Sequence, residues 1–277
     1  MAVPNLSDKQ VLVTGAAAGI GREIALSFAR RGAHILASDL NATGLASLKL
    51  DVEDLGRDCR TWIVDVGDER AMREFAVSVN EQVGAVDVLV NNAGIASLGK
   101  FLESDLAHWR RVLDVNLMGM VHGCYFFLPA MLAAGGARQV VNVASAAAWA
   151  APCATSAYAA SKAAAMGFSE VLMMELSQTS IGVTIVGPGV INTGITKRNP
   201  NVSNSISRSQ LDKLQAYYQR KGATPDVVGE AVVNAVRRGR ELLMVGPYSR
   251  LTFHLKRLSP RLLRALTVKD SKAMGFL

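Results

Sequence analysis

At 277 residues, half of them hydrophobic and only 19% charged, the chain can build one large buried core or at most two small ones, and wholesale disorder is excluded. The net charge is +7, but residues from Arg250 onward hold seven cations (Arg250, Lys256, Arg257, Arg261, Arg264, Lys269, Lys272) against Asp270 alone, a net +6 that leaves about +1 for the rest. The charge therefore belongs to a C-terminal appendage and gives the main domain no nucleic-acid character. Cys59, Cys124 and Cys153 are odd in number, widely spaced and without a CxxC pair. That pattern argues against a disulfide framework or a metal site and for a reducing, cytoplasmic compartment. Met1 to Gln10 is polar and lacks a signal-peptide core, and no stretch reads as a membrane span.

Taken in chain order, strands alternate with helices. Val11-Leu12-Val13 is a β-branched run ending at Thr14-Gly15, and Ile20 to Arg31 carries Ile24, Ala25, Phe28 and Ala29 at helical spacing. His34 to Ser38 predicts a strand, Leu45 to Leu55 a helix and Thr61 to Val64 a strand. Ala71 to Val83 predicts a helix with Met72, Phe75, Ala76 and Val79 on one face, followed by a strand over Val86 to Val90. One long helix is expected over Leu106 to Leu132, then a strand at Gln139 to Val143, a helix at Ala157 to Ser177 and a strand at Gly182 to Val186. Asn201 to Ser209, rich in Ser and Asn, reads as a loop. Helices over Leu211 to Arg220 and Pro225 to Arg238 precede a last strand at Leu242 to Val245. Apolar strands alternating with helices imply a parallel sheet covered on both faces. Seven of them imply a doubly wound sheet with its ligand crevice at the strands' carboxyl ends.

The candidate chemistry falls in the loops after the strands. Thr14-Gly15-Ala16-Ala17-Ala18-Gly19-Ile20-Gly21 joins the first strand to the first helix, where glycines let backbone approach a pyrophosphate. Three residues separate Gly15 from Gly19, unlike the single residue of the commonest dinucleotide fingerprint. Asp39 follows the second strand, where a carboxylate can accept hydrogen bonds from ribose hydroxyls and would repel a 2′-phosphate. Ala18 and Leu40 bring no opposing cation, and Arg22 is the only one near, so NAD is favoured over NADP. Asp39 equally suits a turn or helix-cap role, which Asn41 could also fill. Asn91-Asn92-Ala93-Gly94 follows the fourth strand, Asn116 lies in the long helix, and Ser145 follows the fifth strand. Tyr158 and Lys162, four apart, share one helical face, so an ammonium beside the phenol should lower the phenol's pKa toward neutral.

In order and spacing, Thr14-Gly-x-x-x-Gly-Ile-Gly21, Asp65, Asn91-Asn92-Ala93-Gly94, Asn116, Ser145, Tyr158-x-x-x-Lys162, and Pro188-Gly189 with Thr193 resemble the short-chain dehydrogenase/reductases, over roughly Ser7 to Val245. The resemblance implies a single Rossmann-type domain over residues 1–247, with a seven-stranded parallel sheet, helices on both faces and a lid near 193–222. It implies that Tyr158 exchanges a proton with the substrate oxygen, which Ser145 holds by a hydrogen bond. Lys162 would bind the nicotinamide ribose, and Asn116 would support a water-mediated proton path through it. Gly15, Ala17, Gly19, Ile20, Gly21, Asp39 and Leu40 would form the dinucleotide loop. Asp65 and Val66 would flank the adenine. Asn92, Ala93 and Gly94 would line the adenosine-side ribose and the middle of the site, and Val190 and Thr193 would meet the carboxamide.

Ala146 to Thr155 is almost without charge and faces the region between Ser145 and Tyr158. With Ile95, Ala96 and Leu98 opposite, and Ile195, Ile206, Leu211, Leu214, Tyr217 and Tyr218 in the lid, it predicts a lipophilic secondary alcohol, steroid-like or aryl. Trp149 and Cys153 are the expected substrate contacts. An arginine clamp for a charged acid is missing. The expected enzyme is NAD-dependent, similar to hydroxysteroid dehydrogenases, and self-associates to a dimer or tetramer. An NADPH-dependent reductase of 3-oxoacyl thioesters and a catalytically silent dinucleotide-binding scaffold are the alternatives. Residues 248–277 form a basic amphipathic extension split by Pro260 into two short helices. It could pack on a neighbouring subunit or on its own lid, lie on an anionic membrane, or stay solvated.

Overall fold

Each strand is followed by a helix long enough to return the chain to the same end of the sheet, so the strands pair in parallel. In the computed structural model, which describes residues 1–194 and 202–277, seven strands form one parallel sheet in the order β3-β2-β1-β4-β5-β6-β7. They are β1 (Gln10–Thr14), β2 (His34–Asp39), β3 (Cys59–Ile63), β4 (Val88–Asn91), β5 (Arg138–Val143), β6 (Ile181–Pro188) and β7 (Leu242–Val245). Leu12 pairs with Leu36 on one side and Leu89 on the other. The strand order reverses between β1 and β4, which opens a crevice at their carboxyl ends.

Two cores follow from the alternation of side chains along each strand. Val11 and Val13 face α1 (Gly19–Ala29), α2 (Ala42–Asp54) and α8 (Pro225–Arg238). Leu12 faces α3 (Glu69–Val83), α5 (Gly119–Ala134) and α6 (Ser156–Glu175). The edge strand β3 departs from the all-apolar expectation: Arg60, Thr61 and Ile63 are exposed on it. The Asn41 side chain accepts from Gly44 N at 3.1 Å and so starts α2, the capping role its sequence position allowed.

The single long helix expected over Leu106 to Leu132 is instead α4 (Leu106–Leu113), a π-helical turn over Asp114–Met118, and α5. The wider turn falls on Asn116, and π turns concentrate at functional sites. Contrary to the sequence reading, this run is long and apolar enough to cross a membrane by length and composition, but Val115, Phe127 and Met131 on it are buried against the sheet. All three cysteines are free, and burial pushes the Cys59 and Cys124 thiols up to about 12. Ile195 and Asn201, and with them the first part of the expected lid and loop, lie outside the described residues.

The last thirty residues are not the separate appendage that their charge suggested. Gly246 at φ +81° and Tyr248 at φ +65° turn the chain directly from β7 into α9 (Ser249–Leu258), and α10 (Pro260–Met274) follows. Buried Ser249 donates to Gly187 O at 2.6 Å, Trp149 Nε1 donates to Thr252 Oγ1 at 3.0 Å, and Cys153 N donates to Ser271 Oγ at 3.2 Å. The Trp149 ring also stacks edge-on against Phe253, 5.2 Å between centroids. Replacing Trp149 by Ala should therefore cost about 3 kcal/mol, measured as a lower urea midpoint; an unchanged midpoint would mean that α9 is not fixed through this ring.

Candidate active site

The crevice begins with two glycines that cannot be replaced. At Gly15, φ is +66° and a Cβ would lie 2.7 Å from Ala93 Cα; at Gly21 a Cβ would lie 2.1 Å from Gly15 O. The loop after β1 thus presses directly on the loop after β4. Thr14 Oγ1 accepts from the backbone N of both Asn92 and Ala93 at 3.1 Å, and Asn92 Nδ2 donates to Thr14 O at 2.9 Å and Gly15 O at 3.1 Å. The α1 N-terminus has no side-chain cap and no acidic residue in its first turn, so its N–H groups and dipole face the crevice uncompensated. Asp39 accepts from Ala17 N at 3.0 Å and Asn41 N at 2.9 Å while still lining the crevice. Asp39 thus stabilises the turn and faces the crevice at once. Arg22 is paired with Asp51 and lies 3.9 Å from Glu23.

Opposite this loop stands the polar set. Ser145 follows β5, and its Oγ accepts from Ala147 N at 3.1 Å. Tyr158 and Lys162 lie in the first two turns of α6, whose approach carries a left-handed Ala154 at φ +63°, a strain of roughly 1 kcal/mol. Lys162 Nζ donates to Val143 O at 2.9 Å, and burial lowers its pKa to about 8. Burial also dominates Tyr158 and raises its phenol above the ordinary value, with the Ser145 hydrogen bond pulling the other way. Lys162 is buried and Tyr158 half-buried, so desolvation opposes the charged form of each, against the expectation that the lysine would lower the phenol's pKa. Asn116 is anchored rather than free. Its Oδ1 accepts from Ile95 N at 2.8 Å, and its Nδ2 donates to Ile95 O and to Ser161 Oγ, both at 3.0 Å. Ser161, missed in the sequence, donates onward to Tyr158 O at 2.7 Å.

One cavity of about 860 Å³ joins these parts. Gly15, Gly19, Ile20, Gly21, Asp39, Asn92 and Gly94, from the loops after β1, β2 and β4, line it together with Pro188, Gly189, Val190 and Thr193 at the end of β6 and beyond. Ser145, Cys153, Tyr158 and Lys162 line it as well, with Lys162 Nζ only 3.4 Å from where a Cβ on Gly94 would lie. Ala17, Leu40, Asp65, Val66, Ala93 and Asn116 are not in its wall. The Asp65 carboxylate is committed to Arg111 at 2.9 Å and Gly67 N at 2.9 Å, and Val66 is buried with its carbonyl bonded to His122 Nδ1 at 2.9 Å. Trp149, expected to touch substrate, is turned away from the cavity to hold α9. The ceiling is what sequence reasoning missed. Leu251, Leu255, Leu263, Leu266, Met274 and Phe276 of the last thirty residues complete it, beside Leu214, Tyr217 and Tyr218 of α7 (Arg208–Lys221). The signal was present as leucines at helical spacing, but the pattern does not say which surface it covers.

The sequence model for short chain dehydrogenases matches residues 9–203. "Probable oxidoreductase EphD" of Mycobacterium tuberculosis is 37% identical over 93% of this chain, and the chain spans less than half, 44%, of that protein's length. Among solved structures, a short-chain dehydrogenase/reductase from Burkholderia phymatum in complex with NAD superposes with TM-score 0.84 at 28% identity, covering 93% of this chain and 96% of that one. L-Sorbose reductase from Gluconobacter frateurii, complexed with NADPH and L-sorbose, superposes with TM-score 0.74 at 26% identity, covering 86% and 94%. With the glycine loop, Ser145, Tyr158 and Lys162 on one crevice of a seven-stranded sheet and Asn116 anchored behind it, the chain belongs to the short-chain dehydrogenase/reductase family of oxidoreductases.

Proposed function

We propose that the chain is an NAD(H)-dependent enzyme that interconverts a lipophilic secondary alcohol and its ketone, with Tyr158 as acid/base. One observation carries this reading: Ser145, Tyr158 and Lys162 share the wall of one cavity with the glycine loop and with leucine, methionine and phenylalanine side chains of the last thirty residues, and Thr252, Thr267 and Asp270 lie among these. The residues there fit a dinucleotide. The uncapped α1 N-terminus suits a pyrophosphate, and Asp39 keeps carboxylate lone pairs for ribose hydroxyls. Asp39 with Arg22 drawn to Asp51 and Glu23 supports NAD over NADP. When bound, the nicotinamide supplies or accepts the hydride.

The chain's own groups do the rest. Tyr158 gives its phenolic proton to the ketone oxygen, or takes it from the hydroxyl. Ser145 holds the same oxygen and restrains the Tyr158 phenol by a hydrogen bond. Lys162 supplies the buried cation beside them, fixed by Val143 O. Asn116 fixes Ile95 and, through Ser161, the first turn of α6, so its support of a proton path to Lys162 is positional. The leucine ceiling desolvates an apolar substrate, and among the described residues no arginine lines the cavity. Exposed Tyr125 and Leu132 on α5, with Val171 and Met174 on α6, support self-association through these helices.

Tyr158→Phe should retain NADH binding and lose roughly 10²–10⁴-fold in turnover, and Ser145→Ala roughly 10²-fold. Undiminished turnover by Tyr158→Phe on a panel of secondary alcohols removes this residue from the mechanism. Titration with both reduced dinucleotides should give tighter NADH, and tighter NADPH would overturn the Asp39 argument. Ketone reduction needs the phenol protonated and the Lys162 ammonium charged, and the latter is lost as pH rises through about 8. Its kcat/KM should therefore be flat below that value and fall above it; a profile still flat well beyond would detach the lysine charge from catalysis.

A further inference from the structure

The last two helices carry an outward apolar surface that begins at the cavity rim and continues beyond it. On α9, Leu251 and Leu258 are 66% and 84% exposed, and on α10, Leu262 and Leu266 are 50% and 46% exposed. Spacings of seven and four place each pair on one face of its helix. Soluble surfaces scatter large apolar residues singly, whereas these four fall within two short consecutive helices. The same helices hold the seven cations noted above. Among the described residues none of the seven pairs with a carboxylate. Asp270, their only acidic neighbour in this stretch, lines the cavity and acts on Tyr217. Leu251 and Leu266 also line the cavity while remaining exposed, so the apolar face runs into its rim.

We propose that the α9–α10 surface docks on an anionic lipid bilayer, with the leucines in the acyl boundary, the cations at the headgroup phosphates and the cavity rim turned toward the acyl layer. Clustered exposed leucines among arginines suit an interface that is apolar at depth and negative at its surface. A nucleic acid would match the cations but has no use for four exposed leucines. A second copy meeting this face about a two-fold axis would set +6 against +6. Loading of a lipophilic substrate from the bilayer through this rim rests on the proposed function; docking itself does not.

The test is flotation of the full chain with phosphatidylcholine vesicles, with and without phosphatidylglycerol. The wild type should float with anionic vesicles at low salt, release as salt rises, and stay behind with phosphatidylcholine alone. Leu258→Gln with Leu262→Gln, two exposed positions outside the cavity wall, should lower vesicle partition by roughly tenfold or more while leaving turnover of a water-soluble ketone unchanged. Should that variant fail to fold, the lipid and salt dependence of the wild type decides alone. Wild type that ignores anionic vesicles at low salt overturns the proposal. So does equal flotation of a folded variant, retention by a DNA duplex without vesicle binding, or a change confined to sedimentation. Vesicle binding without any alcohol or ketone turnover leaves docking standing and removes the proposed reaction.

Discussion

The reversal of strand order between β1 and β4 is the constraint on which the site depends. Two loops leave the sheet there in opposite directions and would part if nothing joined them. Thr14 and Asn92 join them with four hydrogen bonds, and Gly15 and Gly21 bring the backbones too close for any side chain. One hydroxyl therefore fixes where the glycine loop stands relative to the loop leading to Asn116, and so relative to Ser145, Tyr158 and Lys162. The uncapped N-terminus of α1 gains its meaning from this placement, because an electropositive helix end is useful only where it faces a crevice.

Within the crevice, desolvation sets the electrostatics. Lys162 is buried and Tyr158 half-buried, and each charged form is disfavoured, the phenol moving up and the ammonium down. The hydrogen bonds that fix Asn116, Ser161 and Val143 O around them hold these side chains and the backbone in one arrangement. Preorganisation of this kind lets electrostatics act without reorganisation at the moment of reaction.

The C-terminal helices change the character of this crevice. Ser249, Thr252 and Ser271 bind them to Gly187, Trp149 and Cys153, and their inner leucines roof a space that the sheet alone would leave open to water. The same two helices thus serve an inner apolar wall and an outer basic, leucine-bearing face. That division is the one expected of an amphipathic pair whose two faces meet different media.

Much of this was legible in the sequence. The strands and helices announced themselves by period and by turn residues, and their alternation required a parallel sheet with its crevice at the carboxyl ends. Gly15, Asp39, Ser145, Tyr158 and Lys162 stood out because loop position and i, i+4 spacing are local properties. Tertiary structure alone decided the rest. Trp149 looked like a substrate contact because it lies between Ser145 and Tyr158, yet the partner that turns it away, Thr252, is 103 residues distant. Asp65 looked available for a ligand until Arg111 arrived from α4. The direction of the Tyr158 shift depends on how completely packing excludes water, and the leucines of residues 251–266 show amphipathicity without showing what lies beneath them. A sequence fixes which side chains share a face of one element; which element that face meets is set by long-range packing, and burial, charge and ligand access follow from it.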